Sequence, residues 1–519
     1  MLYKEEKATA QSVAKWRAAA IIAAFLLARL VFAFGLGLGV DESYTLAISR
    51  DLNLSYFDHP PLHQWITHFT ALALGEGVAV RLPFLALFSA TGWLLFRLTL
   101  DLFGSRPALI ALFGLNAAPF FFASAGTWIV PDGPLLFGLA VAALSASRAL
   151  FGSEPSGSRA WRPWLLAGGG FGMAGLSKYT AILSALGLLA FMLISRKERP
   201  WLRRPEPYVA AVVAFAIVVP VFIWNAEHGW ASFLFQGSRA DVSGRAQWVG
   251  PLRMALEQIA YLSPWLFLPL AAGLVSGLGL WRDDRRLFLL CLSLPAIVLF
   301  TLTPLWGDPG LPHWAMPGWF FVFSLMGAWA DDEAISRRRL TNYAVASALL
   351  LAALAGGVVV EARTGWLARF LPPRVTDPTI EAFDWGQLRD APIFRTAPAF
   401  VLATQWADGG KIAVAVGPRI PTFVASFDPR GWAFVAPRPD LVGRDGVLIV
   451  RKKDEPLARA MSASLFGSLG QTQNFTLARN GASVIELALI PAKNLLETLP
   501  LPAEGNNTAY RPQPKSVTP

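Results

Sequence analysis

The chain has 519 residues, 54% of them hydrophobic and 15% charged, with a formal net charge of +10 and a single cysteine. That balance is too apolar for an ordinary soluble domain. The basic residues sit in short loops between apolar runs rather than on one clustered face, which argues against a nucleic-acid partner and for the lipid bilayer.

The first apolar run, 18–40, follows Lys4, Lys7, Lys15 and Arg17. Its length favours an uncleaved anchor over a signal peptide and sets a cytoplasmic N-terminus. Further runs fall near 80–100, 106–123, 133–150, 163–177, 179–195, 208–224, 263–281, 287–304, 314–330 and 341–360. At roughly 20 apolar residues per crossing, this predicts about eleven spans. Counting sides puts Arg196 to Arg204, Arg282 to Arg286 and Arg337 to Arg339 in the cytoplasm, in agreement with the positive-inside rule. The runs 163–177 and 179–195 are short and meet at Ser177-Lys178-Tyr179, as a tight hairpin or one broken helix. Cys291 lies inside an apolar run, so neither an intrachain disulfide nor a thiolate metal site can be built.

After about residue 361 the pattern changes to short β-like runs separated by Gly and Pro, such as Lys411 to Val416, Gly446 to Val450 and Ala482 to Leu487. The expected architecture is a mainly α, polytopic membrane region over 1–360 and a small extracytoplasmic α/β domain over 361–501. The tail 502–519, rich in Pro, Asn, Lys and Thr, reads as disordered.

Two long outer loops, 41–77 and 225–262, stand out, because structureless stretches of that length in a compact protein tend to be functional. The first opens on Asp41-Glu42 and continues through Asp58-His59-Pro60-Pro61 to an amphipathic stretch, 62–74, suited to lie along the interface. Transfer from a phosphate-linked donor needs a carboxylate to take the acceptor proton and cations to meet the leaving phosphate. Asp41 and Glu42 suit the first role. Asp58 with His59 suits a divalent cation or a phosphate, although two side chains alone do not define a metal site. Asp132, after Pro131, reads as a helix N-cap on the same outer face. Lys178, at the end of two apolar runs, either snorkels to the interface or pairs with an anion. In the second loop, His228 reads as an interfacial residue. Arg239 and Arg245 lie where topology gives them no purpose, which suits phosphate binding.

The ordered set Asp41-Glu42, Asp58-His59-Pro60-Pro61-Leu62, Pro131-Asp132-Gly133-Pro134-Leu135, Gly175-Leu176-Ser177-Lys178-Tyr179, Asn225-Ala226-Glu227-His228-Gly229-Trp230 and Pro312-His313-Trp314 resembles bacterial glycosyltransferase family 39, the protein-mannosyltransferase-like group. That group includes relatives of the lipid A aminoarabinose transferases and the rhizobial galacturonosyl transferases. The resemblance covers roughly residues 16–330. It implies a GT-C fold, a polyprenyl-phosphate sugar donor entering from the bilayer, and an envelope glycolipid, glycan or protein as acceptor. It carries the base role to Asp41 with Glu42 beside it, donor contacts to Lys178 and Arg239, a site-lining role to Asp132, and places Tyr179 and His228 in matching motifs. The aminoarabinose transferases have Glu-Lys before the two prolines. Here Asp58-His59 stands there, which makes His59 a substitute phosphate ligand or a metal ligand.

Inverting transfer of one sugar at the outer face of a bacterial inner membrane is the leading expectation. A diphosphate-linked oligosaccharide polymerase or ligase is a second, and a lipid-linked sugar flippase or transporter a third. The polar candidates gather at one membrane face rather than at the midplane, which favours chemistry over transport.

Overall fold

The computed structural model describes residues 2–152, 160–238, 247–306, 310–370, 372 and 377–500. Arg239, Arg245 and the tail 502–519 lie outside the described residues.

Each of the eleven apolar runs is helical. Among the described residues six helices are long and apolar enough to cross a membrane by themselves: α1 (Leu2–Gly35), α4 (Leu82–Phe103, with the turn that precedes it), α7 (Asp132–Phe151), α10 (Glu206–Glu227), α14 (Asp284–Leu302, with the turn that follows it) and α16 (Arg337–Thr364). Two more runs belong to bent pairs. Helices α5 (Ser105–Ala117) and α6 (Pro119–Thr127) meet at 74°, and α12 (Val249–Leu262) and α13 (Pro264–Gly279) at 110°. A proline begins the second helix of each pair, where its ring and missing N–H break the ladder. The other three runs are shorter helices, α8 (Trp161–Gly175), α9 (Ala181–Ile194) and α15 (Met316–Asp332). The α8–α9 junction is thus a break of five residues, 176–180.

Small residues set the helix spacing. A Cβ on Gly138 of α7 would meet the backbone of Gly170 and Ala174 on α8 at 2.6–2.7 Å, and one on Gly168 would run into the Ala210 carbonyl of α10. Such close approach supplies packing that the hydrophobic effect cannot supply between helices already in lipid. One end of the bundle is laced by arginine contacts between helix ends: Arg148 to Asp101 at 2.9 Å, Arg106 to Asp331 at 2.7 Å, and Arg286 to Asp332 at 2.5 Å.

The other end carries the segments of the two long loops. Short helices α2 (Val40–Ile48) and α3 (Leu62–Leu74) come from the first, and α11 (Ala231–Ser238) and α12 from the second. Helix α3 buries His63, Gln64 and Thr67 while exposing Phe69, Leu72 and Leu74. Buried polar and exposed apolar side chains on one short helix suit an interfacial position.

Beyond α16 the chain builds a six-stranded sheet in the order β2 (Thr422–Val424), β1 (Val401–Ala403), β3 (Gly446–Arg451), β6 (Ala482–Leu495) and β4 (Phe466–Leu469), with β5 (Gln473–Arg479) pairing β6. The runs at 446–450 and 482–487 are strands as expected. The run Lys411 to Val416 is not: it ends helix α17 (Trp406–Val416). Strands β1 and β2 are parallel, so a crossover must join them, and α17 is that crossover. A short apolar run has no periodicity that separates a strand from a buried helix. Helix α17 packs on α2, where a Cβ on Gly410 would meet the Tyr44 backbone at 2.6 Å.

Candidate active site

Helix α2 carries two adjacent carboxylates in opposite settings. Glu42 is 2% exposed and wholly engaged. Its oxygens accept from Arg81 Nε at 2.7 Å and Nη2 at 2.5 Å, from the Gly39 amide at 2.7 Å and from the Ile129 amide at 3.1 Å. Arg81, itself fully buried, also donates to the carbonyls of Ala33, Leu36 and Gly37. Burial pushes the Glu42 proton affinity up, but the guanidinium and the two amides outweigh it and hold the carboxyl below its usual range. This pair ties α1, α2 and the start of α4 together.

Asp41, one residue before Glu42 on α2, is exposed. Burial raises its pKa, Arg430 opposes that rise, and the charges of Asp58, Glu381 and Glu42 add to it. A carboxylate that is reachable and more basic than usual suits proton abstraction.

Asp58 is buried, 6% exposed. It accepts a short hydrogen bond from the Tyr44 hydroxyl, which in turn accepts from the Gly431 amide at 2.8 Å. Its other oxygen stands 3.7 Å from the Arg430 guanidinium. Arg430 lies over the Trp406 ring, 3.9 Å from its centre, and has a left-handed backbone φ of 49°. The C-terminal sheet domain therefore contributes a cation to this end of the bundle. Sequence reading missed Arg430, Tyr44 and Arg81. An arginine in Asp428-Pro429-Arg430-Gly431 carries no motif, and only the docking of α17 on α2 reveals its neighbours.

Asp132 is the first residue of α7 rather than its N-cap, a position Pro131 fills without a side-chain bond. The carboxylate turns instead to Lys178 Nζ at 2.9 Å, with both side chains 6% exposed. An ammonium has three donors, so this bond leaves two. His63 of α3, also missed in the sequence, is 1% exposed with no partner for Nδ1. Burial drives its pKa down to about 3, with Asp132 opposing and Lys178 assisting. It is neutral, next to a charged pair, with its ring 5.7 Å from that of His59. Tyr179 bonds Ser232 of α11 at 2.6 Å, and His228 stacks on Trp224 at 4.2 Å and approaches Phe434 of the sheet domain.

The Asp58-His59 pair does not fit a metal. Among the described residues no three His, Cys, Asp or Glu side chains converge on one point, and Asp58 is already engaged by a phenol and a guanidinium.

Comparison with known proteins bears on the same region. Residues 58–224 match the family model for dolichyl-phosphate-mannose-protein mannosyltransferases. The lipid A galacturonosyltransferase RgtD of Rhizobium johnstonii is 25% identical over 275 residues, which is 51% of this chain and 54% of that protein, so the match spans about half the length of the curated relative. The crystal structure of ArnT from Cupriavidus metallidurans bound to undecaprenyl phosphate superposes with a TM-score of 0.60 at 17% identity, covering 91% of this chain and 97% of ArnT. Apo ArnT gives 0.63 at 17% identity, with 92% and 98% covered. The chain is thus a multi-pass membrane protein of the GT-C fold, related to the glycosyltransferases of the protein-mannosyltransferase-like group.

Proposed function

We propose that the protein is a glycosyltransferase that moves one sugar from a polyprenyl-phosphate donor to lipid A or another envelope glycolipid at the outer face of the bacterial inner membrane. The observation that carries this reading is Asp41: a reachable carboxylate of raised proton affinity at the same end of the bundle as the buried Lys178-Asp132 pair. A base and a cation at one end of the bundle are what attack by a hydroxyl and departure of a phosphate require.

In the proposed step, Asp41 takes the proton of the acceptor hydroxyl as its oxygen bonds the anomeric carbon. The bond from that carbon to the donor phosphate oxygen breaks, and the electron pair leaves with the polyprenyl phosphate. Lys178 meets that charge with the donors Asp132 leaves open, and Asp132 fixes the direction of the amine. Arg430 stabilises the ionised form of Asp41 between turnovers. One displacement inverts the anomeric centre. Glu42, whose oxygens are filled by protein donors, acts here as a positioning residue that holds α2 through Arg81, in place of the direct part its sequence position suggested.

The test supplies the purified protein in nanodiscs with radiolabelled polyprenyl-phosphate sugars and lipid A. Label transferred to the glycolipid with inverted configuration is the expected result. Consumption of diphosphate-linked oligosaccharide alone would replace the donor in this reading. Donor movement across the bilayer without bond cleavage would replace the reading with transport.

A further inference from the structure

We propose that the arginine-laced end of the bundle binds an anionic phospholipid of the cytoplasmic leaflet, at a site separate from Asp41. A groove of about 1430 Å³ opens between α1, α5, α13, α15 and α16. Its depth is apolar, with Ile21, Phe113, Leu266 and Met326 in its walls, and Arg17, Arg337 and Arg339 stand at its mouth. The volume exceeds the roughly 300–1,000 Å³ of pockets that take compact small molecules. A long apolar occupant with a charged end fits it.

The charge of that end follows from the arginines. Arg106 also lines the groove but is held by Asp331 and the Ile335 carbonyl. Arg17, Arg337 and Arg339 are exposed and enter no ion pair among the described residues. Three free guanidinium groups above an apolar trough complement a phosphate headgroup with its acyl chains below. The basic loops place this end in the cytoplasm by the positive-inside rule, and anionic lipid is drawn to basic groups at a membrane surface. Arg17 lies 18 residues before Gly35, about 27 Å along α1 at 1.5 Å per residue, so one headgroup cannot serve both this groove and Lys178.

The lipid has a mechanical use. Only 11% of the spanning window of α16 is buried. Its outer end leans on α1, with Val359 against Gly35 and Arg363 donating to the Phe34 and Gly35 carbonyls. Near its arginine end, Tyr343 reaches the Trp265 carbonyl across the groove. A phospholipid between α1 and α16 fills the remaining gap and braces the helix that leads to the sheet domain.

The experiment measures retained lipid by native mass spectrometry, and unfolding temperature, for the full chain titrated with phosphatidylglycerol or phosphatidylcholine. Phosphatidylglycerol is expected to bind tenfold or more tightly than phosphatidylcholine and to raise the unfolding temperature further. The triple variant Arg17→Gln, Arg337→Gln, Arg339→Gln is expected to lose that preference while keeping the phosphatidylcholine baseline, and Arg338→Gln, outside the groove lining, to keep it. Equal retention of the two lipids by the unaltered protein would overturn the proposal. So would a preference that survives the triple change, or displacement of phosphatidylglycerol by polyprenyl phosphate at the same arginines.

Discussion

The two ends of the bundle use charge in opposite ways. At the end that carries the candidate site, two of the ion pairs are deeply buried: Arg81 and Glu42 are 1% and 2% exposed in their side chains, Lys178 and Asp132 6% each. At the arginine end they are open, with Arg106 and Asp331 at 41% and 42%. Burying charge is costly unless every donor and acceptor is matched, and a fold retains such pairs only where they hold something in place. Exposed pairs cost little and contribute little. One end therefore locks charges inside the protein and the other leaves them to solvent, although the overall composition reports only a basic, apolar chain.

The largest test of that contrast is Asp41→Asn. Removing a positioned base lowers transfer by a factor on the order of 10²–10⁴, while the solvent-facing side chain leaves folding yield unchanged. The pH profile gives a second reading of the same group. Transfer needs ionised Asp41, so activity falls as pH drops through its raised pKa, above the ordinary aspartate value. Because Arg430 lowers that pKa, Arg430→Gln moves the acidic limb to higher pH still. An unmoved limb would remove Arg430 from the vicinity of the base.

Glu42→Gln reads the neighbouring carboxylate by stability rather than rate. It strands the buried Arg81 guanidinium, a loss of about 3–5 kcal/mol for one partner of a buried pair, measurable as a lowered unfolding temperature in detergent. A variant that folds normally and only loses activity would return Glu42 to a direct part in catalysis. Lys178→Met comes next. It removes a charged hydrogen bond of about 1.5–3 kcal/mol to the donor phosphate, roughly a 10–100-fold weaker donor affinity read in KM for the donor, and it also lowers the unfolding temperature because the buried Asp132 carboxylate loses its partner.

What the sequence disclosed follows the same division. Asp41 and Lys178 stood out as candidates because a charge at the end of an apolar run has few neutral explanations. The apolar runs were legible because length and hydropathy are local properties. Arg81 was not, since an arginine at a helix start is also what an interfacial anchor looks like. Arg430 depends on a contact between segments almost 400 residues apart. Asp132 was read as a cap because Pro-Asp before an apolar run carries the local signal of one, and only the fold brings Lys178 to its carboxylate. The misread strand at 411–416 has the same origin: Gly409 and Gly410 look like a turn until Val424 and Trp432 are seen to fill the space beside the first and α2 the space beside the second.

The smallest expected effect closes the contrast from the other end. Arg106 and Asp331 form a well-aligned pair at 2.7 Å, a geometry as good as that of Lys178 and Asp132. If distance set the energy, Asp331→Asn would cost as much as Asp132→Asn. With both partners about two-fifths exposed, water and ions screen the interaction, and the expected cost is about 0–1 kcal/mol, shrinking further with added salt. Asp132→Asn is expected to destabilise more, with little salt dependence, because it leaves the Lys178 ammonium uncompensated away from water. Measuring both unfolding temperatures at low and high salt separates the two cases. Equal losses with equal salt response would mean that burial does not distinguish the two ends of the bundle.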